Sequence, residues 1–242
     1  MDKLNVNTIE PEGATTTLNV GISGKSVIIT DNLKANTLKD AGGNTLFTSD
    51  GSGNLSSVNS GFGSAQVLLS TQTASGDASI SFTSGIDSTY KEYVFEFINI
   101  NPATNQQDFK FQVNASGQSG YDETMTTTAW RAYHQESGGA AALAYQASED
   151  QAQGTSFQTL MHYVGNGADE ASSGEMHLFN PSSTTYVKNF WSKASVYDGS
   201  PDPTLNNYFA AGYINVTAAI TEIQFKMTSG NLDGTIKMYG IK

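Results

Sequence analysis

Cysteine is absent from this 242-residue chain, which excludes a disulfide framework and every zinc or iron–sulfur site built on thiolates. Charge is scarce too. Asp, Glu, Lys and Arg make up 14% of the residues, against about 25% in an ordinary globular protein. Basic residues are the rarer kind, 12 against 23 acidic for a formal net charge of −11, which argues against a nucleic-acid partner held mainly through phosphates. No run approaches 18 uninterrupted apolar residues, and the start MDKLNVNTIEPEG has no apolar segment. The expectation is a chain with no membrane insertion and no secretory signal. Polarity comes instead from Ser, Thr, Asn and Gly, which are mediocre helix formers. An all-β, non-enzymatic protein is therefore expected.

Aromatic residues are missing from the first part of the chain. Residues 1–62 hold no Trp or Tyr, and their only Phe residues are Phe47 and Phe62. Apolar side chains there come singly or in short runs such as Val27-Ile28-Ile29, so strands are expected to be short and the core thin. Leu4-Asn5-Val6-Asn7-Thr8-Ile9 is echoed by Leu33-Lys34-Ala35-Asn36-Thr37-Leu38. Two occurrences also arise by chance; taken as a repeat, they imply two similar β units in series. Gly42-Gly43-Asn44 and Asp50-Gly51-Ser52-Gly53-Asn54 read as turns flanking a short strand, Thr45–Thr48. So little apolar material predicts a segment ordered by packing against copies of itself or another protein. A flexible polar tail is the alternative, and the β-branched run Ser26–Thr30 counts against it. Residues 56–64 read as a linker, which divides the chain into an anchoring or trimerisation region at 1–62 and a head domain at 63–242.

From residue 65 the strands lengthen and aromatics appear. Tyr90–Ile100 alternates, with Tyr93, Phe95, Phe97 and Asn99 on one face and Glu92, Val94, Glu96 and Ile98 on the other. Phe109, Phe111 and Val113 share a face of the next strand. Further strands are expected at 66–70, 126–136, 156–164, 174–179, 186–197, 208–216, 220–227 and 235–240. Roughly nine or ten strands without an amphipathic helix between them predict an antiparallel β-sandwich or jelly roll. The Ala-rich stretch Gly139–Gln153 lacks a helical stripe and reads as an exposed loop with one helical turn.

Local motifs for chemistry are lacking. His134, His162 and His177 fall on separate predicted strands with no H-x-H, H-x-x-x-H or H-E-x-x-H spacing, so no metal site is expected. His134 and Glu136 share a strand face. There is no G-x-S-x-G elbow and no nucleophilic Cys. A paired-carboxylate hydrolase needs two of Asp108, Asp122, Glu123, Glu136, Glu149, Asp150, Asp169, Glu170, Glu175 and Asp198 to meet in space, which spacing alone does not decide. Gly165-Asn166-Gly167-Ala168 has no following Lys-Ser/Thr and reads as a hairpin turn rather than a phosphate cradle. Trp130, Trp191 and the 11 tyrosines offer either core filling or a sugar-stacking platform. No cofactor is expected, apart from Ca²⁺ collected by loop carboxylates between subunits.

Several runs resemble virion structural proteins of marine tailed bacteriophages, often called tail-fibre-like. At the N-terminus these are Lys3–Gly13 (KLNVNTIEPEG), Thr17–Gly21 and Asp40–Gly51 (DAGGNTLFTSDG). In the second half they are Asn99–Thr104, Val164–Glu170, His177–Thr184 (HLFNPSST), Ile223–Asn231 and Thr235–Ile241, which resemble the jelly-roll module of the same group. The resemblance implies a homotrimer at the virion surface, made in the bacterial host's cytoplasm. Residues 1–62 would dock on another phage structural protein, and the jelly roll would face outward. It transfers no catalytic motif and no individual site residue. The expected function is host recognition or receptor binding, with a host-surface glycan as the ligand. The loop 138–153 and the acidic turns near Asp169 and Asp198 are the expected contact points. A capsid decoration or head-fibre protein is the alternative and a polysaccharide depolymerase the third reading.

Overall fold

A computed structural model of the chain describes residues 35–56, 58 and 65–242. The residues form two compact units, Met1–Gly63 and Ser64–Lys242. The Val27-Ile28-Ile29 run, most of the repeat and most of the 56–64 linker lie outside the described residues.

In the first unit, β1 (Thr37–Lys39), β2 (Thr45–Ser49) and β3 (Leu55–Ser56) make a three-stranded antiparallel sheet. The two connecting turns have the same construction. Asp40 Oδ1 accepts the N–H groups of Gly42 and Asn44 at 2.9 and 2.8 Å, and Oδ2 accepts the Asn44 amide at 2.9 Å. Ten residues on, Asp50 Oδ1 accepts from Ser52 and Asn54 at 2.7 and 3.1 Å, and Oδ2 from the Asn54 amide at 2.8 Å. Gly43 and Gly53 supply the positive φ that each turn requires, 84° and 92°. The two turns share one sequence pattern, D-x-x-G-N, at Asp40–Asn44 and Asp50–Asn54.

Both carboxyls are held below their ordinary value, first by the side-chain amides of Asn44 and Asn54 and then by backbone N–H groups. A carboxyl whose pKa is lower in the folded state adds stability above its unfolded pKa, and that stability is lost as pH falls through the folded value. Acidification from pH 5 to pH 2 should therefore loosen this small sheet, and the NMR exchange protection of backbone amides in residues 40–54, taken relative to the intrinsic rate at each pH, should fall. In Asp40→Asn/Asp50→Asn protein that acid-induced change should be absent.

The second unit is an all-β, antiparallel assembly of thirteen strands. It contains no α-helix among the described residues. One layer runs β4 (Gln66–Asp77), β16 (Leu232–Ile241), β6 (Glu92–Pro102), β12 (Ser172–Phe179), β13 (Lys188–Asp198), β14 (Thr204–Ile214) and β8 (Met125–Gln135), with β9 (Ala141–Tyr145) and β10 (Ala152–Gly154) on β8. The other runs β11 (Gln158–Val164), β7 (Gln107–Ala115), β15 (Ile220–Met227) and β5 (Ile80–Phe82). A corner where Val164 of β11 pairs Asp198 of β13 joins them. The sheet is nearly closed, and the expected β-sandwich is what forms.

Alternation explains the core. Tyr93, Phe95 and Phe97 of β6, Phe109, Phe111 and Val113 of β7, and Ile223 and Phe225 of β15 are all buried. Phe225 is central, its ring centroid within 5.3–6.4 Å of those of Phe82, Phe95, Phe97, Phe109 and Phe111. Two details differ from the sequence reading. Asn99 is exposed with φ 53°, a bulge that turns Ile100 inward in its place. Residues 139–153 are not a plain loop: β9 pairs β8 from Trp130↔Tyr145 to His134↔Ala141, and the helical turn is a 3-10 turn at Ala147–Glu149. Residues 141–145 lie almost wholly exposed, so no buried face imposes the alternation by which a strand is read.

Candidate functional site: an aromatic sheet face and a buried polar cluster

The first layer buries one face and leaves the other open. On β13, Phe190, Ala194 and Val196 point inward; on β14, Tyr208 and Ala210; on β8, Met125 and Ala129. The alternate residues therefore project outward, and strand register lines them up. One row reads His177–Trp191–Ala211–Thr128 and the next Glu175–Lys193–Phe209–Trp130–Tyr145. Neighbouring strands lie about 4.8 Å apart, so adjacent rings meet. Trp130 stacks on Phe209 at 4.1 Å between centroids and 12° between planes, and His177 on Trp191 at 4.0 Å and 13°.

Between the two stacks lies a groove of about 230 Å³ lined by Thr128, Trp130, Trp191, Ser192, Phe209, Ala210 and Ala211. Ala211 supplies the short side chain that lets the groove open. No charged residue lines it. Its volume is below the roughly 300–1,000 Å³ of drug-sized pockets, so it suits a single ring rather than a large ligand. Toward β12 and β6 lies a second, mixed hollow, bounded by the apolar Ile98 and Leu205 and by Glu96, Glu175, Lys193 and Asn207. Trp130 is 38% exposed, Tyr145 63% and Leu143 73%, a concentration of large apolar surface on one sheet face.

The residues expected to make contacts divide. Tyr145, inside the 138–153 stretch, sits at the end of the aromatic row, its hydroxyl bonded to Asp150. Asp169 lines an open depression with Asn99, Asn101, Glu170 and Asp233. Asp198 is not a surface turn residue: it is 3% exposed, accepts from the Asn206 amide at 3.0 Å, and lies 3.6 Å from the Arg131 guanidinium. Its position at the β11/β13 corner buries it. His134 is exposed at the far end of β8.

The structure does bring three chemistry-bearing side chains together. Asp108 on β7, Glu149 in the 3-10 turn and His162 on β11 offer ligand atoms all within 4.8 Å of one another. His162 Nδ1 is 3.1 Å from Asp108 Oδ1 and 3.9 Å from Glu149 Oε1. Burial raises the Asp108 carboxyl's pKa, but adjacent His162, the Tyr163 amide and Lys110 outweigh it, so the net position is below the usual value. Irregular pairing between β11 and β7, between Thr159 and Met161 and again between Met161 and Val164, brings this about. Those breaks bury Gln158 through His162 in succession, where strict alternation would expose every second residue.

Lys188 is the other buried charge. Its ammonium donates to the carbonyls of Val216, Thr217 and Ala218 at 2.9, 2.9 and 2.6 Å, which occupies all three of its protons. Burial lowers its pKa and Glu123 opposes that. It ties β13 to the β14–β15 connection and has no donor left for a ligand.

Comparison with protein-family models, with curated proteins and with solved structures finds no match to this chain.

Proposed function

We propose that this chain is a non-enzymatic, homotrimeric surface protein of a tailed-phage particle whose sandwich binds host-surface glycan through the outer face of its first layer. The phage reading is supported by the resemblance of residue runs such as Asp40–Gly51 and His177–Thr184 to virion structural proteins. The glycan reading is carried by one observation: two stacked aromatic pairs flank an uncharged groove with an alanine floor. Aromatic faces pack against the apolar faces of pyranose rings, while the hydroxyl of Thr128 at the groove and the side chains of Glu175, Lys193 and Asn207 beside it meet sugar hydroxyls. A neutral sugar suits the site, because a chain of net charge −11 repels an anionic one.

Each ring is worth about 1 kcal/mol, so a single site binds weakly. Presentation in three copies, and in several trimers per particle, raises avidity by about 10²–10⁴ without any new contact. Docking of residues 1–62 on the particle completes this reading.

Retention of the purified chain on protein-free polysaccharide from a susceptible bacterium tests it, with sedimentation run alongside. Saturable retention by a trimer, reduced by free oligosaccharide, is the expected result. Self-association through the Trp130–Trp191 face with no retention would make that face a subunit interface and overturn the glycan reading.

A further inference from the structure

We propose that Asp108, Glu149 and His162 form a binding site for one divalent cation of the Zn²⁺ class, clamping the turn after β9 to strands β7 and β11. The three residues come from three different elements, and their ligand atoms lie within 4.8 Å of one another. His162 Nδ1 lies 3.1 Å from Asp108 Oδ1 and 3.9 Å from Glu149 Oε1. Tetrahedral ligands about 2.0–2.1 Å from zinc stand roughly 3.3 Å from one another, so closing the set requires movements of under an ångström or so.

The remaining oxygens are engaged in ways that aim the set. Asp108 Oδ2 pairs with the Lys110 ammonium at 3.3 Å, and Glu149 Oε2 accepts the Thr159 hydroxyl at 2.5 Å. Asp108 Oδ1 also accepts the Tyr163 N–H at 3.1 Å, and Glu149 Oε1 the Ser148 hydroxyl at 3.4 Å. Partners of this kind hold metal-binding carboxylates in position.

Two buried polar atoms in this region have no hydrogen-bond partner. His162 is 7% exposed, and its Nδ1 has no hydrogen-bond partner despite the nearby carboxylate. Its contact with the Asp108 carboxylate is at an ion-pair distance, 3.1 Å, from which both atoms can turn to a shared cation. Tyr208, fully buried on β14, also has an unpartnered hydroxyl. Its ring lies 6.3 Å from that of His162 and nearly parallel to it, at 21°. Burial, followed by the charges of Glu149 and Asp108, disfavours its ionisation, which places the phenol in the field of the same cluster. Unpaired buried polar atoms are rare in folded proteins, and a cation held by the cluster gives the His162 Nδ1 its partner.

The donor set selects the metal. One neutral imidazole with two carboxylates suits Zn²⁺, whereas Ca²⁺ takes six to eight oxygens and Mg²⁺ an octahedron rich in water. The two carboxylates neutralise the ion. The clamp also reaches the aromatic face, because Glu149 adjoins Asp150, which holds the Tyr145 hydroxyl and accepts the Ala129 N–H at 2.9 Å.

The test uses the full chain, stripped with chelator and then titrated with ZnCl₂, CoCl₂ and CaCl₂. One Zn²⁺ per chain is expected by calorimetry and elemental analysis, with a Co²⁺ visible spectrum of a low-coordinate N/O site. The thermal midpoint should rise by about 5–10 °C at a hundredfold excess over Kd, and Ca²⁺ should have little effect. Asp108→Asn and His162→Gln should abolish stoichiometric binding. If either misfolds, Glu149→Gln, which alters the 3-10 turn and neither of the two core strands, should still weaken Zn²⁺ at least tenfold. The proposal is overturned if Zn²⁺ does not bind saturably, or binds equally to His162→Gln protein. It fails too if His162 is an imidazolium at pH 7 by NMR and Zn²⁺ leaves its signals unmoved.

Discussion

Protein carrying both Trp130→Ala and Trp191→Ala is expected to fold, to sediment as the parent does, and to lose at least about 30-fold in affinity for host polysaccharide. The loss follows from removing one ring of each stack, roughly 2 kcal/mol together at about 1 kcal/mol per ring. On a multivalent particle the same loss is compounded at every engaged site, so retention on a polysaccharide surface should fall below detection. The fold survives because both side chains lie on the outer face, opposite the buried Phe190, Ala194, Ala129 and Ala210. Each single variant should lose about 5-fold. Tyr186→Ala provides the control: Tyr186 is equally aromatic and 69% exposed but stands in the β12–β13 connection and does not line the groove, so binding should be unchanged.

Phe225→Ala is expected to have the largest effect on stability. The ring is fully buried and touches five other phenylalanines from β5, β6 and β7, so its removal leaves a cavity bounded by rings that cannot collapse into it. Substitutions of this kind cost about 3–5 kcal/mol, or roughly 6–20 °C in the midpoint for a domain of this size. Phe225→Leu retains most of the volume and should cost less than half as much. Thermal unfolding followed by near-UV circular dichroism measures both. Equal losses for the two variants would contradict the central place given to this ring.

Strands with an apolar inner face were the most legible. Ile220–Met227 appears with its expected bounds because Ile223, Phe225 and Met227 alternate with Glu222, Gln224 and Lys226. The three-residue strand Ile80–Phe82 is too short to show a period, and residues 141–145 have no buried face to impose one.

The aromatic face was half legible. The sequence left Trp130 and Trp191 open between core filling and a sugar-stacking platform; on β8 the inward residues are Met125, Thr127 and Ala129 while Trp130 points out. On β14, similarly, Asn206 and Ala210 are buried and Phe209 lies on the open face beside Trp130. Period-2 alternation fixes which residues share a face but not which face meets the core. The Asp108–Glu149–His162 cluster was out of reach because its members are on three elements, and two breaks in register set the direction of His162.

The arrangement of the aromatic face also supplies its most direct test. The chain has two tryptophans, and both line the same groove. Intrinsic tryptophan emission, titrated with oligosaccharides released from the host surface, therefore reports on this groove and no other part of the molecule. Saturable quenching or a blue shift, with the same midpoint as binding measured by calorimetry and with half the amplitude remaining in Trp130→Ala or Trp191→Ala protein, is the predicted result. Saturable glycan binding that leaves tryptophan emission unchanged would contradict the account.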